Sequence, residues 1–216
     1  MSRPNTSIAE RLLNAELAIN NTLNSPTILA AVTPFGYNTT RLEAAVALLD
    51  EVRLLAELQG KRYGEQYEAT NQAQNLRDNA TLAYSAALKI ARVAFKNNES
   101  ARNALVLSGT RKKSFSGWMD QCRRFYNNLL RTPDFLATMT LYNYPQAKLE
   151  AEAELIAAVA TASEVQHKKR GEAQEATKAR DAKLVELDRW VSDYRLVAEV
   201  ALAGSPQQLE QLGWTV

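Results

Sequence analysis

Apolar residues recur every three or four positions along most of the chain, and polar residues fill the gaps between them. This spacing places apolar side chains on one face of an α-helix, so the pattern predicts amphipathic helices. Two segments, residues 7–24 and 114–131, show it most regularly. The apolar positions are Ile8, Leu12, Ala15, Ile19 and Leu23 in the first segment, and Phe115, Met119, Cys122, Tyr126 and Leu130 in the second.

Each of these segments is followed by a break and a shorter helix. Pro26 and Pro133 each follow a hydroxyl residue, and proline is favoured at the first position of a helix. After a loop, residues 42–56 and 149–165 carry apolar stripes with three- and four-residue spacing. A long helix is therefore predicted in each half of the chain.

The pattern leaves the structure of two polar stretches open, residues 59–79 and 166–186, because each fits either a continuous helix or the turn of a helical hairpin. Apolar spacing then resumes. In the first half it falls on Leu82, Leu88, Ala91 and Phe95. Arginines occupy two of the matching positions in the second half, so a rotated stripe is predicted there. Its members are Leu187, Val191, Tyr194 and Val197.

The two halves of the chain resemble each other at one fixed shift, which we call the repeat offset. Moving the sequence by 107 positions aligns residues 7–109 without a gap and gives 27 identities in 103 positions. Pro26 then aligns with Pro133, and Tyr37 with Tyr144. Because a single offset holds through helices and turns alike, tandem duplication explains the likeness better than shared composition does.

These patterns predict an all-α fold, an antiparallel helical bundle built from two copies of a helical unit related by pseudo-twofold symmetry. The copies are residues 1–107 and 108–216, each contributing two long helices, and together they form one intertwined domain over 1–216. Two side-by-side bundles are the alternative. Apolar residues make up 46% of the chain, which also contains 8 Gly and 6 Pro, and this composition favours helix.

Composition also limits the environment and the partners. The net charge of +2 does not by itself favour binding to nucleic acid or to anionic lipid. Cys122 is the only cysteine, so an internal disulfide is excluded. The sequence shows no secretory signal and no apolar run long enough to span a membrane. We expect a cytoplasmic protein without a membrane segment.

The sequence contains few residues in the patterns that catalytic sites or cofactor sites require. Glu164 and His167 have the three-residue spacing that ferritin-like di-iron bundles use, which raises a metal-dependent oxidase as one hypothesis. Such a site needs a second motif, but the position matching His167 is Gly60. An exposed histidine is the simpler interpretation, and Cys122 is predicted to be a buried hydrophobe. No cofactor and no catalytic residue is predicted, and the sequence favours a protein that is not an enzyme.

The region from 111 to 131 is basic and contains interleaved aromatic residues. Such a region can contact phosphates and stack on bases, so nucleic-acid association is an alternative function. The opposing observation is that Phe125 and Tyr126 fit a helix core, and we regard nucleic acid as the weaker hypothesis. The possible phosphate contacts are Arg111, Lys112, Lys113, Arg123 and Arg124.

Four aromatic residues lie in matching loops of the two halves: Phe35, Tyr37, Tyr142 and Tyr144. They either form a surface for a partner or plug the end of the bundle. With no catalytic constellation in view, the leading hypothesis is a non-catalytic structural or protein-interaction protein. Its partner would be an unidentified protein or a second copy of the chain.

Overall fold

The computed structural model describes residues 6–214. Helix makes up 85% of the chain, and no strand occurs in the described part, so the all-α prediction is confirmed. The helices are α1 (Ile8–Asn24), α2 (Pro26–Val32), α3 (Thr39–Ala94), α4 (Glu99–Ala104), α5 (Phe115–Arg131), α6 (Pro133–Leu141), α7 (Gln146–Ala201) and α8 (Pro206–Gln211). No helix within residues 6–214 combines the length and hydropathy that crossing a bilayer requires.

Hydroxyl side chains start the two amphipathic helices. The Ser7 hydroxyl accepts from the Glu10 amide at 3.2 Å, and the Glu10 carboxylate accepts from the Ser7 amide at 2.8 Å. This reciprocal pair satisfies two amides that the first turn of α1 leaves free. It also lowers the pKa of Glu10, chiefly through the bond from the Ser7 backbone. At the start of α5, the Ser114 hydroxyl accepts from the Gly117 amide at 3.3 Å.

The two polar stretches that fit either a helix or a turn are continuous helix. Helices α3 and α7 each run through them without interruption for 56 residues. The prediction of two long helices per repeat is therefore wrong, because each repeat contributes one. A polar helix remains stable here because part of its surface packs on the other long helix, which hydrophobic periodicity alone does not reveal.

The chain forms two compact units. Unit 1 contains residues 1–64 and 171–216, and unit 2 contains residues 65–170. Each unit therefore combines a part of α3 with a part of α7, and the unit boundaries do not follow the predicted repeats. Helices α3 and α7 pack together in a bundle, whereas a single domain over 1–216 stays a prediction.

The long helices run antiparallel within each unit, as ion pairs show. In unit 1, Arg62 contacts Glu172 at 3.1 Å and Lys183 contacts Glu51 at 3.2 Å. In unit 2, Lys169 contacts Glu65 at 2.9 Å, and the Gln166 side-chain amide donates to the Thr70 hydroxyl at 3.4 Å. Later residues of α7 thus meet earlier residues of α3. Pairs that remain this accessible contribute about 0–1 kcal/mol each, so they set the register more than the stability.

The core of unit 1 lies where α1 and α2 cover the two long helices. Tyr37 packs on Trp190 and Tyr194 with ring centroids 5.7 and 4.8 Å apart. Thr22, fully buried, bonds to the Tyr194 hydroxyl and to the Ala18 carbonyl oxygen. Burial raises the pKa of Tyr194 to about 12, so this hydroxyl stays protonated and keeps its hydrogen-bonding role.

Unit 2 has a larger aromatic core beneath α5. Phe125 is fully buried and meets Tyr84 and Tyr126 at centroid distances of 5.4 and 5.1 Å. The predictions that Phe125, Tyr126 and Cys122 are core residues are confirmed. Edge-to-face geometry of this kind adds about 0.5–1.5 kcal/mol per pair beyond burial.

The predicted stripe at the end of α3 needs one correction. The pattern places Leu82 in the core, but this side chain is 71% exposed, whereas Ala80 and Ala87 are buried. At the repeat offset, Ala80 aligns with Leu187 and Ala87 with Tyr194, and both partners are buried as well. The stripe in α7 is therefore not rotated. In α3 the small residues Ala80 and Ala87 occupy the buried positions, so the position of Leu82 does not mark the buried stripe.

Three glycines inside the long helices give a stability prediction. A Cβ atom added at Gly60, Gly64 or Gly171 would meet nothing within 4 Å. Each Gly→Ala change should therefore raise the free energy of unfolding by roughly 0.5–1 kcal/mol, because alanine loses less backbone entropy in a helix. Urea unfolding measures the gain. Gly117→Ala is the matched control, since its Cβ would come within 2.7 Å of the Lys112 Cβ, and no gain is expected there.

Candidate functional site

A groove runs along unit 2 between α5 and the first part of α7. It consists of two recesses of about 360 and 200 Å³ that share Arg123. The first recess reaches Phe115 and His167, and the second reaches Asn127 and Ala153. Between Ala153 and His167 the groove follows α7 for about 21 Å, at 1.5 Å per helical residue. We call this feature the α5–α7 groove.

The floor of the groove is apolar and its rim is polar. Met119 and Ile156 are buried, and Ala160 is half-buried beside them. Exposed side chains of both signs line the rim, namely Asp120, Arg123, Glu164 and His167. An apolar floor between charged edges is the surface that an amphipathic helix presents in complementary form.

Local structure fixes the position of α5 beside this groove. The Lys112 amide donates to the buried Gln121 side chain at 2.9 Å, which ties the segment before α5 to the helix itself. Gly117 permits this return of the chain because a larger residue would collide with the Lys112 side chain. The segment before α5 is thus fixed against α5 by the hydrogen bond to Gln121 and by close packing at Gly117.

A third recess of about 300 Å³ adjoins the groove on the side of α3. It shares Phe115, Ser163 and His167 with the first recess, and Gln74 and Arg77 belong to its lining. The Arg77 guanidinium carbon lies 5.5 Å from the centroid of the Phe115 ring. Phe115 remains 37% exposed, so an aromatic face is available where the recesses meet.

A buried carboxylate lies below the second recess. Glu152 is 8% exposed and accepts from the Tyr126 hydroxyl at 3.0 Å. Burial raises the pKa of Glu152, and the bond from Tyr126 lowers it in part. Burial likewise raises the pKa of Tyr126 well above its usual range. At the repeat offset, Glu152 aligns with Ala45, so this polar pair is particular to unit 2.

Cys122 lacks the properties of a nucleophile. It is fully buried, and burial raises the pKa of its thiol to about 12. A reactive cysteine needs a lowered pKa and access to its substrate, so this thiol serves as a core side chain.

The predicted metal motif borders the groove. Glu164 and His167 both line the first recess together with Asp120. Within the described residues, however, no three side chains of the metal-binding types come together closely enough to hold an ion. The residues that the pattern singled out are therefore best described as part of the rim.

The five predicted phosphate contacts have different surroundings. Arg111 is engaged internally, donating to the Tyr84 hydroxyl at 3.1 Å and to the carbonyl oxygens of Val106 and Ser108 at 2.8 Å each. The other four are exposed, and among them Arg123 borders the groove. These four are Lys112, Lys113, Arg123 and Arg124.

The four aromatic residues of the predicted loop surface differ in burial. Tyr37 and Tyr144 are buried, in the cores of unit 1 and unit 2 respectively. Phe35 and Tyr142 are 49% and 42% exposed. The buried member of each loop thus closes a core, and the exposed member remains free for contact.

Charge is distributed unevenly between the units. Unit 2 has 15 Lys and Arg against 10 Asp and Glu, whereas unit 1 has 11 against 14. The nearly neutral total conceals this difference. Sequence reasoning missed it because the units combine segments that are distant along the chain.

Comparison with known proteins adds no relative: no protein-family model, curated protein or solved structure matches the chain.

Proposed function

We propose that this chain is a non-catalytic interaction protein that binds an amphipathic helix of a partner protein in the α5–α7 groove. The observation that carries the proposal is the groove itself, with its apolar floor, charged rim and run of about 21 Å along α7. That length accommodates about four turns of a helix. Recognition would place the apolar face of the partner on the floor and its polar edges against the rim.

The charge of unit 2 supports an acidic partner. Exposed basic residues flank the end of the groove near Phe115 and His167, namely Lys112, Lys113, Lys168 and Arg170. These four cations outnumber the rim carboxylates of Asp120 and Glu164 at the same end. Together with the excess of cations in unit 2, they favour a partner helix with acidic residues there. Complementary charge increases the rate of association and selects the partner.

Site-specific crosslinking in cells of the source organism tests this proposal. A photoreactive residue replacing Ser163, which lines two recesses, should crosslink to a defined protein through an amphipathic, acidic helix. Ala160→Arg should abolish the product by filling the floor while leaving the helical content and Tm unchanged within a few degrees. The control is the same photoreactive residue at Ser192, an exposed position of α7 in unit 1.

Four outcomes would contradict the proposal. A product that persists in Ala160→Arg, or equal products from Ser163 and Ser192, would show that the groove is not the binding site. A crosslink to a second copy of the chain would indicate a homodimer instead. Retention of nucleic acid at low salt, lost when Lys112, Lys113 and Arg124 become Gln, would favour the nucleic-acid hypothesis.

We further propose that the chain arose by tandem duplication with a pseudo-twofold relation between the copies. The support is that the bounds of α1, α3 and α4, shifted by the repeat offset, coincide with those of α5, α7 and α8. Many buried positions obey the same offset, among them Leu42 with Leu149 and Val52 with Val159. Homologous chains should keep the offset, and helix bounds that depart from it there would refute this origin.

A further inference from the structure

A fourth recess described in unit 2 is separate from the groove and is lined by cations. It has a volume of about 370 Å³ and lies where α3 ends and the chain passes through α4 to the loop that precedes α5. Its lining contains no carboxylate from the described residues. The lining residues are Arg92, Lys96, Arg102, Leu107, Ser108 and Gly109.

The two guanidinium groups are held in place by hydrogen bonds. Arg92 Nε donates to the Leu107 carbonyl oxygen at 2.9 Å, and Arg102 Nη2 donates to the Ser108 hydroxyl at 3.2 Å. Among the described residues, no acceptor bonds to the two terminal nitrogens of Arg92 or to the Lys96 ammonium. The recess thus offers fixed positive groups with donors still available.

The neighbouring loop adds to this positive character. Arg111 donates to the carbonyl oxygens of Val106, Ser108 and Gly109. These oxygens would otherwise repel an anion. Gly109 has a φ of +82°, a left-handed conformation that glycine adopts without strain. The loop therefore needs glycine at this position of the recess.

The cations are not required by the architecture of the helices. At the repeat offset, Arg92, Lys96 and Arg102 align with three residues that are not basic, namely Glu199, Ala203 and Leu209. Leu209 is buried in the core of unit 1 together with Trp214. The segment from the end of α3 to α4 thus carries a cationic recess in unit 2. The matching segment from the end of α7 to α8 has the same helix bounds at the repeat offset, but it buries apolar side chains in unit 1.

Compensation of the helix dipole does not account for three cations. The carbonyl end of a helix carries about half of a negative charge, which a single basic residue in the last turn offsets. Arg92 already occupies the last turn of α3. Arg102 likewise occupies the last turn of α4. Lys96 is therefore the cation that adds charge beyond that need, and like charges that converge without an anion cost free energy.

We propose that this recess binds the phosphate group of a small phosphorylated molecule. Arg92 and Arg102 would contact the phosphate oxygens through their forked donors, and Lys96 would contribute a point charge. The Ser108 hydroxyl supplies one more polar group. The volume lies at the lower end of the range for small-molecule sites, so it suits a compact ligand and not an extended one.

Calorimetry and Tm measurements on the full chain at low salt test the site, with inorganic phosphate, pyrophosphate and glycerol 3-phosphate as probes. We expect binding, a raised Tm, and shifted amide resonances of Ser108 and Gly109. Arg102→Leu, which introduces the residue found at position 209, should weaken binding roughly tenfold or more by removing a charge-assisted contact. Arg189→Leu, at an exposed position of α7 in unit 1, is the control and should bind as the parent does.

Equal affinity in the Arg102→Leu and Arg189→Leu variants would overturn the proposal, as would the absence of binding by all three probes. If Arg102→Leu does not fold, Lys96→Gln takes its place, because Lys96 is exposed and tied to no other side chain in the described part. Preference for glycerol 3-phosphate over inorganic phosphate would identify a monoester as the ligand, and the reverse would identify the free anion. Crosslinking in the groove is independent of these variants, so failure of one proposal leaves the other testable.

Discussion

Replacement of Phe125 by alanine is expected to lower the free energy of unfolding by about 3–5 kcal/mol. Phe125 is fully buried and lies between the rings of Tyr84 and Tyr126. Truncation removes the transfer free energy of the ring, leaves a cavity and abolishes two edge-to-face contacts. Urea unfolding followed by circular dichroism measures the loss.

Hydrogen exchange should locate the same effect. Amide protection in unit 2 should fall, most of all in α5 and in the part of α3 around Tyr84, whose ring contacts Phe125. Leu82→Ala is the control, because a side chain that is 71% exposed loses little on truncation, and a change within about 0.5 kcal/mol is expected. Equal losses from both substitutions would contradict the assigned core.

Tyr126→Phe should destabilise the fold by about 2 kcal/mol near neutral pH, because it removes the hydrogen bond to the buried Glu152 carboxylate. The loss should shrink as the pH is lowered. Burial already raises the pKa of Glu152, and the Tyr126 hydroxyl opposes this rise. Without the hydroxyl the pKa rises further, and below it the carboxyl group is neutral and costs less to bury.

The sign of this pH dependence follows from proton binding. A carboxyl group with a raised pKa in the folded state binds its proton more tightly there than in the unfolded chain. Its favourable contribution is therefore complete below the unfolded pKa and is lost as the pH rises through the folded pKa. Glu152→Gln should remove this dependence while keeping an acceptor for Tyr126.

The double variant Tyr126→Phe with Glu152→Leu completes the cycle. It removes both polar groups from the core, so most of the loss caused by Tyr126→Phe should be recovered. Unfolding at pH 5 and pH 8 of the parent, the single variants Tyr126→Phe and Glu152→Leu, and the double variant measures the coupling. If the loss in Tyr126→Phe grew toward low pH, Glu152 would not be the group responsible.

Local features can be predicted from the chain without coordinates. Ser7 and Ser114 mark helix starts and Pro26 and Pro133 mark short helices, because caps and prolines act on backbone groups within one turn. The face of α5 that contains Cys122 and Tyr126 is likewise predictable, since helical periodicity places neighbouring apolar residues on one side. The all-helical fold follows from the sum of these local preferences.

Features that depend on packing between distant segments cannot be predicted in this way. Leu82 fits the helical period but is 71% exposed, whereas Ala80 and Ala87 on the same helix are buried. The basic cluster of Arg92, Lys96 and Arg102 does not stand out in the sequence, since its members belong to two helices and the turn between them. The tyrosines and the phenylalanine of the two matching loops look alike, although burial separates them.

The continuity of α3 and α7 illustrates the physical reason. Their polar middle sections contain Gly60, Gly64 and Gly171, and isolated helices with such interruptions are marginal. Contact between the antiparallel helices supplies what local propensity lacks. Periodicity and capping thus account for where helices form and which side is apolar, because these interactions act between near neighbours in the chain. Contacts between segments that are distant along the chain decide the rest. They determine which apolar side chains are buried, which cations lie close together and where the α5–α7 groove lies.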